Sequence, residues 1–173
     1  MIRFHTPRVI AISGIALLAM IAFSCKKDDV TPVGAQSNGI LLAGNKGSSK
    51  TWQLTAFTGA VGGGTPQNLS VDACVLDNNF VFSNNDLQRF EHSEGSTKCD
   101  AADSTIVEDG SWAFTLDGKK LLVDGTGYSG QYLFTSIGRP VDIITLTDVS
   151  MKVGFSIAFN GTTYNYTMTF TKK

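Results

Sequence analysis

The chain has 173 residues, and its 14 basic and 15 acidic side chains leave a net charge of −1. This balance excludes the basic stripe that nucleic-acid binding requires. After an N-terminal leader and linker, about 125 residues remain, which suits a single domain.

The first 24 residues predict an export signal. Arg3 and Arg8 supply positive charge, and Val9–Phe23 is almost entirely apolar. Such a stretch is too short for a settled membrane-spanning helix. It ends in Ala22-Phe23-Ser24-Cys25, where small residues before a cysteine resemble the lipobox of bacterial lipoproteins.

This resemblance implies a definite chemistry at Cys25. The thiol receives a diacylglycerol, the signal 1–24 is removed, and the new amine is acylated. Two or three acyl chains hold a protein firmly on a membrane, whereas one chain holds it only marginally. Ala22 and Phe23 depart from the usual lipobox, so an ordinary secretory signal with an incidental cysteine is the alternative.

The next four residues, Lys26-Lys27-Asp28-Asp29, resemble the export signal that follows the cysteine in Bacteroidota-type lipoproteins. The resemblance implies display on the outer face of the outer membrane. The alternative is a solvated, charged start to a linker. Residues 25–48 are rich in Gly, Ser and Asn and lack a sustained apolar period, which predicts a flexible linker. Ile40-Leu41-Leu42 is a short apolar exception.

Residues 49–173 predict an all-β domain of eight or nine short strands. Apolar side chains alternate around Trp52, Phe80 and Trp112, as they do in half-buried strands. Asp117-Gly118 and Asn160-Gly161 are strong hairpin signals. Trp52 and Trp112 are the predicted core anchors. We expect 132–137 to be a strand, and only 100–107 to hold a helical turn. The strand spacing predicts an antiparallel barrel or sandwich.

The motifs of this domain resemble those of the lipocalin-like lipoproteins of Bacteroidota. The resemblance is carried by Trp52-x-Leu54, by Cys74 with Phe80-x-Phe82, by Lys98-Cys99-Asp100, and by Gly110-x-Trp112-x-Phe114. It implies a small up-and-down β-barrel and no established activity. True lipocalins have Gly-x-Trp on the first strand. Gly47 lies too far before Trp52 for that motif, so their ligand chemistry does not carry over.

The three cysteines divide into one lipid acceptor and one pair. Because an exported domain folds in an oxidising compartment, Cys74 and Cys99 are predicted to form a disulfide. Two free thiols or a metal-binding pair are the alternatives, and no CxxC or suitably spaced histidine favours them.

Other polar residues give weaker signals. His92 lies near Glu91, Glu94, Asp100 and Asp103, a set that would suit a metal, although a solvated histidine is the more common outcome. The Asx residues at strand ends lack the fixed spacing of a calcium loop and are ordinary turn chemistry. No catalytic triad order or phosphate-binding loop is present in the sequence. Asp103-Ser104-Thr105 resembles a short Bacteroidota O-glycosylation sequon, which makes Ser104 a candidate.

These observations predict a binding or accessory module at the outer membrane, monomeric, without a cofactor and without catalysis. A small apolar ligand inside the barrel is the leading partner. The candidate cavity residues are Tyr132, Phe134, Tyr164, Tyr166, Met168 and Phe170. The alternatives are a structural or interaction lipoprotein with a solid core and, less favoured, a hydrolytic enzyme.

Overall fold

The computed structural model describes residues 33–128 and 133–173. The predicted signal, Cys25, the tetrad Lys26-Lys27-Asp28-Asp29 and Tyr132 lie outside the described residues. Within the described part, no helix is long and apolar enough to cross a membrane.

Nine strands and three helices make up the domain. The strands are β1 (Ser49–Val61), β2 (Gln67–Asn68), β3 (Asn79–Ser83), β4 (Arg89–Ser93), β5 (Ile106–Phe114), β6 (Lys120–Gly127), β7 (Val141–Leu146), β8 (Ser150–Phe159) and β9 (Thr162–Lys172). The helices are α1 (Gly34–Ala43), α2 (Ala73–Leu76) and α3 (Phe134–Ile137).

The strands form a closed antiparallel barrel. β3 to β9 follow one another in order, and β1 closes the sheet by pairing with β3 on one edge and β9 on the other. β2 adds only two residue pairs beside β1. The predicted up-and-down barrel is therefore confirmed.

Alternation along the strands places large apolar side chains in the interior. Trp52 and Phe80 are fully buried and Trp112 is 2% exposed. Trp52 Nε1 donates to the Leu42 carbonyl at 2.8 Å, and Trp112 Nε1 donates to the Ser83 carbonyl at 3.1 Å. Each indole therefore buries its ring and satisfies its only polar group.

The flexible-linker prediction is wrong for the end of 25–48, because Gly34–Ala43 forms α1. Its sequence has weak helix propensity, with Gly34 and Gly39 inside it. Tertiary packing compensates: Leu42 and Ala43 are fully buried. At Gly34 a Cβ would lie 2.3 Å from the Asp117 carbonyl oxygen, so only glycine permits this approach.

The prediction of a strand over 132–137 is also wrong for the described residues, 133–137. Phe134–Ile137 forms the short helix α3, and Gly138 ends it with φ of 60°, a left-handed conformation that glycine adopts without strain. Within 100–107, residues 100–103 form a single hydrogen-bonded turn, in which the Asp103 N–H donates to the Asp100 carbonyl at 3.0 Å, and β5 begins at Ile106.

The barrel has two different ends. Segment 34–50 contacts three turns at one end, which we call the helix end. Ala35 N–H donates to Leu116 O, Asn84 Nδ2 donates to Gly44 O, and Lys50 Nζ donates to Asp148 Oδ1. The β1–β2 and β8–β9 hairpins lie at the opposite end, which we call the open end.

Candidate functional site

The inner face of β1, β9 and β8 continues past the buried core at the open end. Register places Gly59, Tyr166 and Phe155 in one cross-strand row, and Val61, Tyr164 and Ile157 in the next. The first row is half-buried, whereas Val61 is 60% and Ile157 is 39% exposed. The open end therefore presents an apolar inner wall.

A groove of about 380 Å³ lies against this wall. Its floor and sides include Gly59, Val61, Leu69, Tyr164 and Tyr166, and none of its lining residues is charged. Within the described part of the chain, neither tyrosine hydroxyl has a hydrogen-bond partner. The groove thus combines apolar walls with a few uncharged polar groups, those of Thr65, Gln67 and the two tyrosines, a composition typical of a small-molecule site.

Leu69 closes one side of the groove because Gly59 leaves room for it. A Cβ at Gly59 would lie 3.1 Å from Leu69 Cδ1 and 3.4 Å from Tyr166 Cε1. The Leu69 N–H donates to the Phe57 carbonyl at 2.9 Å and fixes the segment after β2 over the wall. Tyr166 is held by stacking, with ring centroids 5.7 Å from Phe57 and 5.2 Å from Phe155.

The interior below the groove is filled by side chains. Phe134 packs against rings from opposite walls, at centroid distances of 5.5 Å to Phe90 and 5.8 Å to Phe170. Met168 and Phe170 are fully buried, and Phe134 is 3% exposed. Of the six candidate cavity residues, Tyr164 and Tyr166 line the groove, Phe134, Met168 and Phe170 belong to the core, and Tyr132 is outside the described residues.

A buried polar chain runs along the inner wall of the barrel, beside the neighbouring strands β3, β4 and β5. Asn78, His92 and Glu108 are all fully buried. Asn78 Oδ1 accepts from the Gly95 N–H, so its Nδ2 donates to His92 Nε2 at 3.1 Å. His92 Nδ1 therefore carries the proton and donates to Glu108 Oε1 at 2.9 Å. The imidazole is neutral in this arrangement and stacks on Phe80 at 4.0 Å.

Glu108 also caps α3. Its carboxylate accepts from the N–H groups of Leu133, Phe134 and Thr135 at 2.8–3.1 Å, and from Thr135 Oγ1 at 2.8 Å. Burial raises the pKa of Glu108, but the hydrogen bonds from His92, Thr135 and Leu133 outweigh it and hold the pKa below its ordinary value. All these contacts are internal, so Glu108 positions α3 and the Phe134 ring.

Glu94 is different. It is 5% exposed, and neither carboxylate oxygen has a hydrogen-bond partner among the described residues. Burial, followed by the nearby charge of Asp103, raises the pKa of Glu94. An acid with a raised pKa is one sign of catalysis, but Glu94 does not line the apolar groove.

The predicted disulfide is confirmed. Cys74 and Cys99 are bonded, with their Cα atoms 5.2 Å apart. Asp77 Oδ2 holds the adjoining loop by accepting from Ser96 Oγ and the Thr97 N–H at 2.8 and 2.9 Å. Ser104 is exposed in this loop. No cluster of three metal-ligating side chains occurs among the described residues, and His92 contacts Glu108 and Asn78 rather than the acids proposed from the sequence.

Sequence reasoning missed Glu108, Leu69 and Gly59. The burial of His92 could have been predicted from Phe90, because the two residues are two positions apart on one strand and therefore share a face. His92 then lies directly opposite Glu108 in the β4–β5 register. No local signal identifies Gly59 or Leu69, because their contact depends on how the β1–β2 hairpin bends over the wall.

The geometry defines a small, closed, antiparallel barrel with an apolar groove at its open end. A family model for the lipocalin-like domain matches residues 49–153. This match covers more than half of the chain, so the protein belongs to the lipocalin-like domain family. A comparison of the sequence with curated proteins gave no match.

Proposed function

We propose that this protein is a membrane-anchored binding module that takes a small, neutral, largely apolar ligand in the open-end groove. The uncharged groove formed by Leu69, Tyr164 and Tyr166 is the observation that carries the proposal. A charged ligand would lose hydration there without gaining an opposite charge. The two free tyrosine hydroxyls suit a ligand with one or two hydrogen-bonding groups.

The groove volume of about 380 Å³ is near the lower end of the range for small-molecule sites. Because Phe134 and its neighbours fill the centre of the barrel, the ligand would lie across the mouth. The ligand would stack on Tyr164 and contact Leu69. No covalent step is needed, and the proposed role has no catalysis.

The cellular location is a second part of the proposal. Cys25, with the Lys26-Lys27-Asp28-Asp29 tetrad after it, supports acylation and display at the surface of the outer membrane. We propose that the domain binds its ligand there as a monomer.

Titration with N-phenyl-1-naphthylamine, a neutral apolar fluorophore, tests the groove directly. We expect saturable binding to the full chain. Tyr164→Ser and Leu69→Ser should each weaken it by about threefold to tenfold, because each removes about 1 kcal/mol of apolar contact. Tyr128→Ser is the matched control: Tyr128 is exposed, lies outside the groove, and bonds to Asp109.

A filled core also favours a second candidate, an interaction module without a small ligand. Trp52, Phe80 and Phe170 leave little room on the barrel axis, since all three are fully buried. Dye fluorescence that does not saturate, or equal affinity in Tyr164→Ser and wild type, would favour this candidate and reject the groove.

A further inference from the structure

The helix end carries a second set of exposed apolar side chains, separate from the groove. Leu87, Leu116 and Val149 are respectively 78%, 83% and 59% exposed. They lie in the β3–β4, β5–β6 and β7–β8 turns, one in each turn. Val33, at the start of α1, adds a fourth exposed aliphatic side chain, at 56%.

Contacts with the segment 34–50 place these three turns at one end of the barrel. Besides the bonds named above, Asn38 Nδ2 donates to Gly118 O at 2.8 Å, and the Gly47 N–H donates to Asn84 O at 2.7 Å. The turns are thus tied to the single segment 34–50. Their aliphatic side chains form a set that we call the apolar rim: Val33, Leu87, Leu116 and Val149.

Several of the charged side chains around the apolar rim are paired. Lys46 bonds Asp86 at 3.1 Å, and Asp148 bonds both Lys50 at 2.7 Å and Lys172 at 3.7 Å. Pairing reduces the charge that the rim would have to desolvate against an apolar surface. The rim is therefore suited to a partner that is apolar and interfacial.

We propose that the apolar rim docks on the lipid bilayer, with Leu87, Leu116 and Val149 inserted at the level of the headgroups. The described chain starts at this same end, and Cys25 lies eight residues before Val33. Eight extended residues span no more than about 29 Å, so an acyl anchor at Cys25 keeps the helix end close to the membrane. The open-end groove then faces away from the bilayer. This inference rests on the proposed anchor only for the closeness of the membrane.

Site-specific fluorescence tests this orientation. Cysteine is introduced singly at Leu87, Leu116 or Val149, with Ile144→Cys on the barrel side and Phe159→Cys at the open end as controls. The native Cys74 and Cys99 are bonded to each other and therefore do not take up the dye. The protein without an introduced cysteine is the control for labelling of Cys25. Each protein, labelled with a nitrobenzoxadiazole dye, is reconstituted into phosphatidylethanolamine–phosphatidylglycerol vesicles that contain brominated lipid.

We expect blue-shifted emission and bromine quenching at the three rim positions and neither change at the two controls. Apolar faces that bind in this way lie about 5–10 Å deep in the interface. Quenching at Phe159→Cys instead would show that the open end faces the membrane and would overturn the proposal. Absence of quenching at all five positions, or equal quenching at all five, would overturn it too.

A loss-of-binding variant provides the second readout. In a Cys25→Ala background, Leu87→Ser, Leu116→Ser and Val149→Ser combined should abolish residual co-sedimentation with the same vesicles. Leu122→Ser with Ile144→Ser, on exposed side-wall positions, should leave it unchanged. Equal loss in both variants would contradict a specific rim. The rim variant should bind N-phenyl-1-naphthylamine with the affinity of wild type. The rim proposal and the groove proposal can therefore fail independently of each other.

Discussion

Glu108 joins three parts of the barrel through one buried carboxylate. It accepts hydrogen bonds from His92 and from the first turn of α3. Replacing it with Gln keeps the size but removes the charge and half of the acceptors. We expect Glu108→Gln to lower the free energy of unfolding by about 3 kcal/mol, the upper range for bonds to a charged group.

The same variant should change the acid sensitivity of the fold. Because the folded pKa of Glu108 lies below the ordinary glutamate value of 4.5, its stabilisation is present above that pH and is lost as the pH falls through the folded pKa. Urea unfolding from pH 3 to 7 should show that the free energy of unfolding of Glu108→Gln falls less than that of wild type as the pH is lowered. Glu91→Gln, on a partly exposed ion pair, is the control and should shift stability by less than about 1 kcal/mol.

The pKa of Glu94 is shifted in the opposite direction to that of Glu108. The pKa of Glu94 is raised above the ordinary glutamate value of 4.5 by burial and then by the nearby charge of Asp103. The stability it contributes is therefore present when it is protonated and is lost as the pH rises through the folded pKa. Glu94→Gln should stabilise the domain at pH 7 by about 1 kcal/mol, because an unpartnered buried charge is removed.

Unfolding curves of wild type and Glu94→Gln from pH 4 to 8 measure this difference. The two proteins should be closest in stability at the acid end and diverge as the pH rises. Destabilisation of the variant at pH 7 would show that the carboxylate has a stabilising partner.

At the scale of elements, the Cys74–Cys99 bond holds the β4–β5 loop to α2. The bond closes a separation of 25 residues, and Cys99→Ser should cost about 2–5 kcal/mol. Asp77 still bonds Ser96 and Thr97, so we expect residues 98–105 to gain hydrogen exchange before 95–97. Exchange by mass spectrometry measures this order. Simultaneous loosening of both segments would mean that the Asp77 contacts depend on the disulfide.

The helix α1 shows why an element can escape detection from its own sequence. Its two glycines and lack of a sustained apolar period are typical of a linker, yet Gly34 permits a close approach to Asp117 that a Cβ would block. A residue that weakens the isolated helix therefore allows its packing. α3 is similar, because Phe134–Ile137 depends on Glu108, which lies on β5, for its N-terminal hydrogen bonds.

For the whole molecule, the proposed anchor at Cys25 would decide where the groove and the apolar rim act. Cys25→Ala should leave the protein unacylated and move it from the membrane to the soluble fraction, because the rim alone buries far less apolar surface than two or three acyl chains. Fractionation with mass analysis of the N-terminus measures this. Retention of the mutant equal to that of wild type would reject the lipoprotein hypothesis.

The proposed surface display would depend on a different segment. Replacing Lys27, Asp28 and Asp29 with Ala should lower protease accessibility on intact cells without reducing acylation. The wild type gives the protease accessibility of the displayed protein, and the Cys25→Ala protein gives that of a protein without the anchor. Unchanged accessibility would leave the tetrad as a solvated start to the linker.

The residue pattern by itself determined the antiparallel all-β class and the two tryptophan anchors, and the resemblance to lipocalin-like lipoproteins selected a barrel over a sandwich. The class and the anchors depend on local alternation and on turn residues, which act over short distances along the chain, whereas the disulfide was predicted from the cysteine count and the expected export. Only the tertiary structure decided that Phe134 fills the interior, that His92 pairs with Glu108, and that Tyr164 and Leu69 form a groove. Those contacts join residues from different strands, and their geometry follows from the bend, register and closure of the sheet, which no short segment encodes.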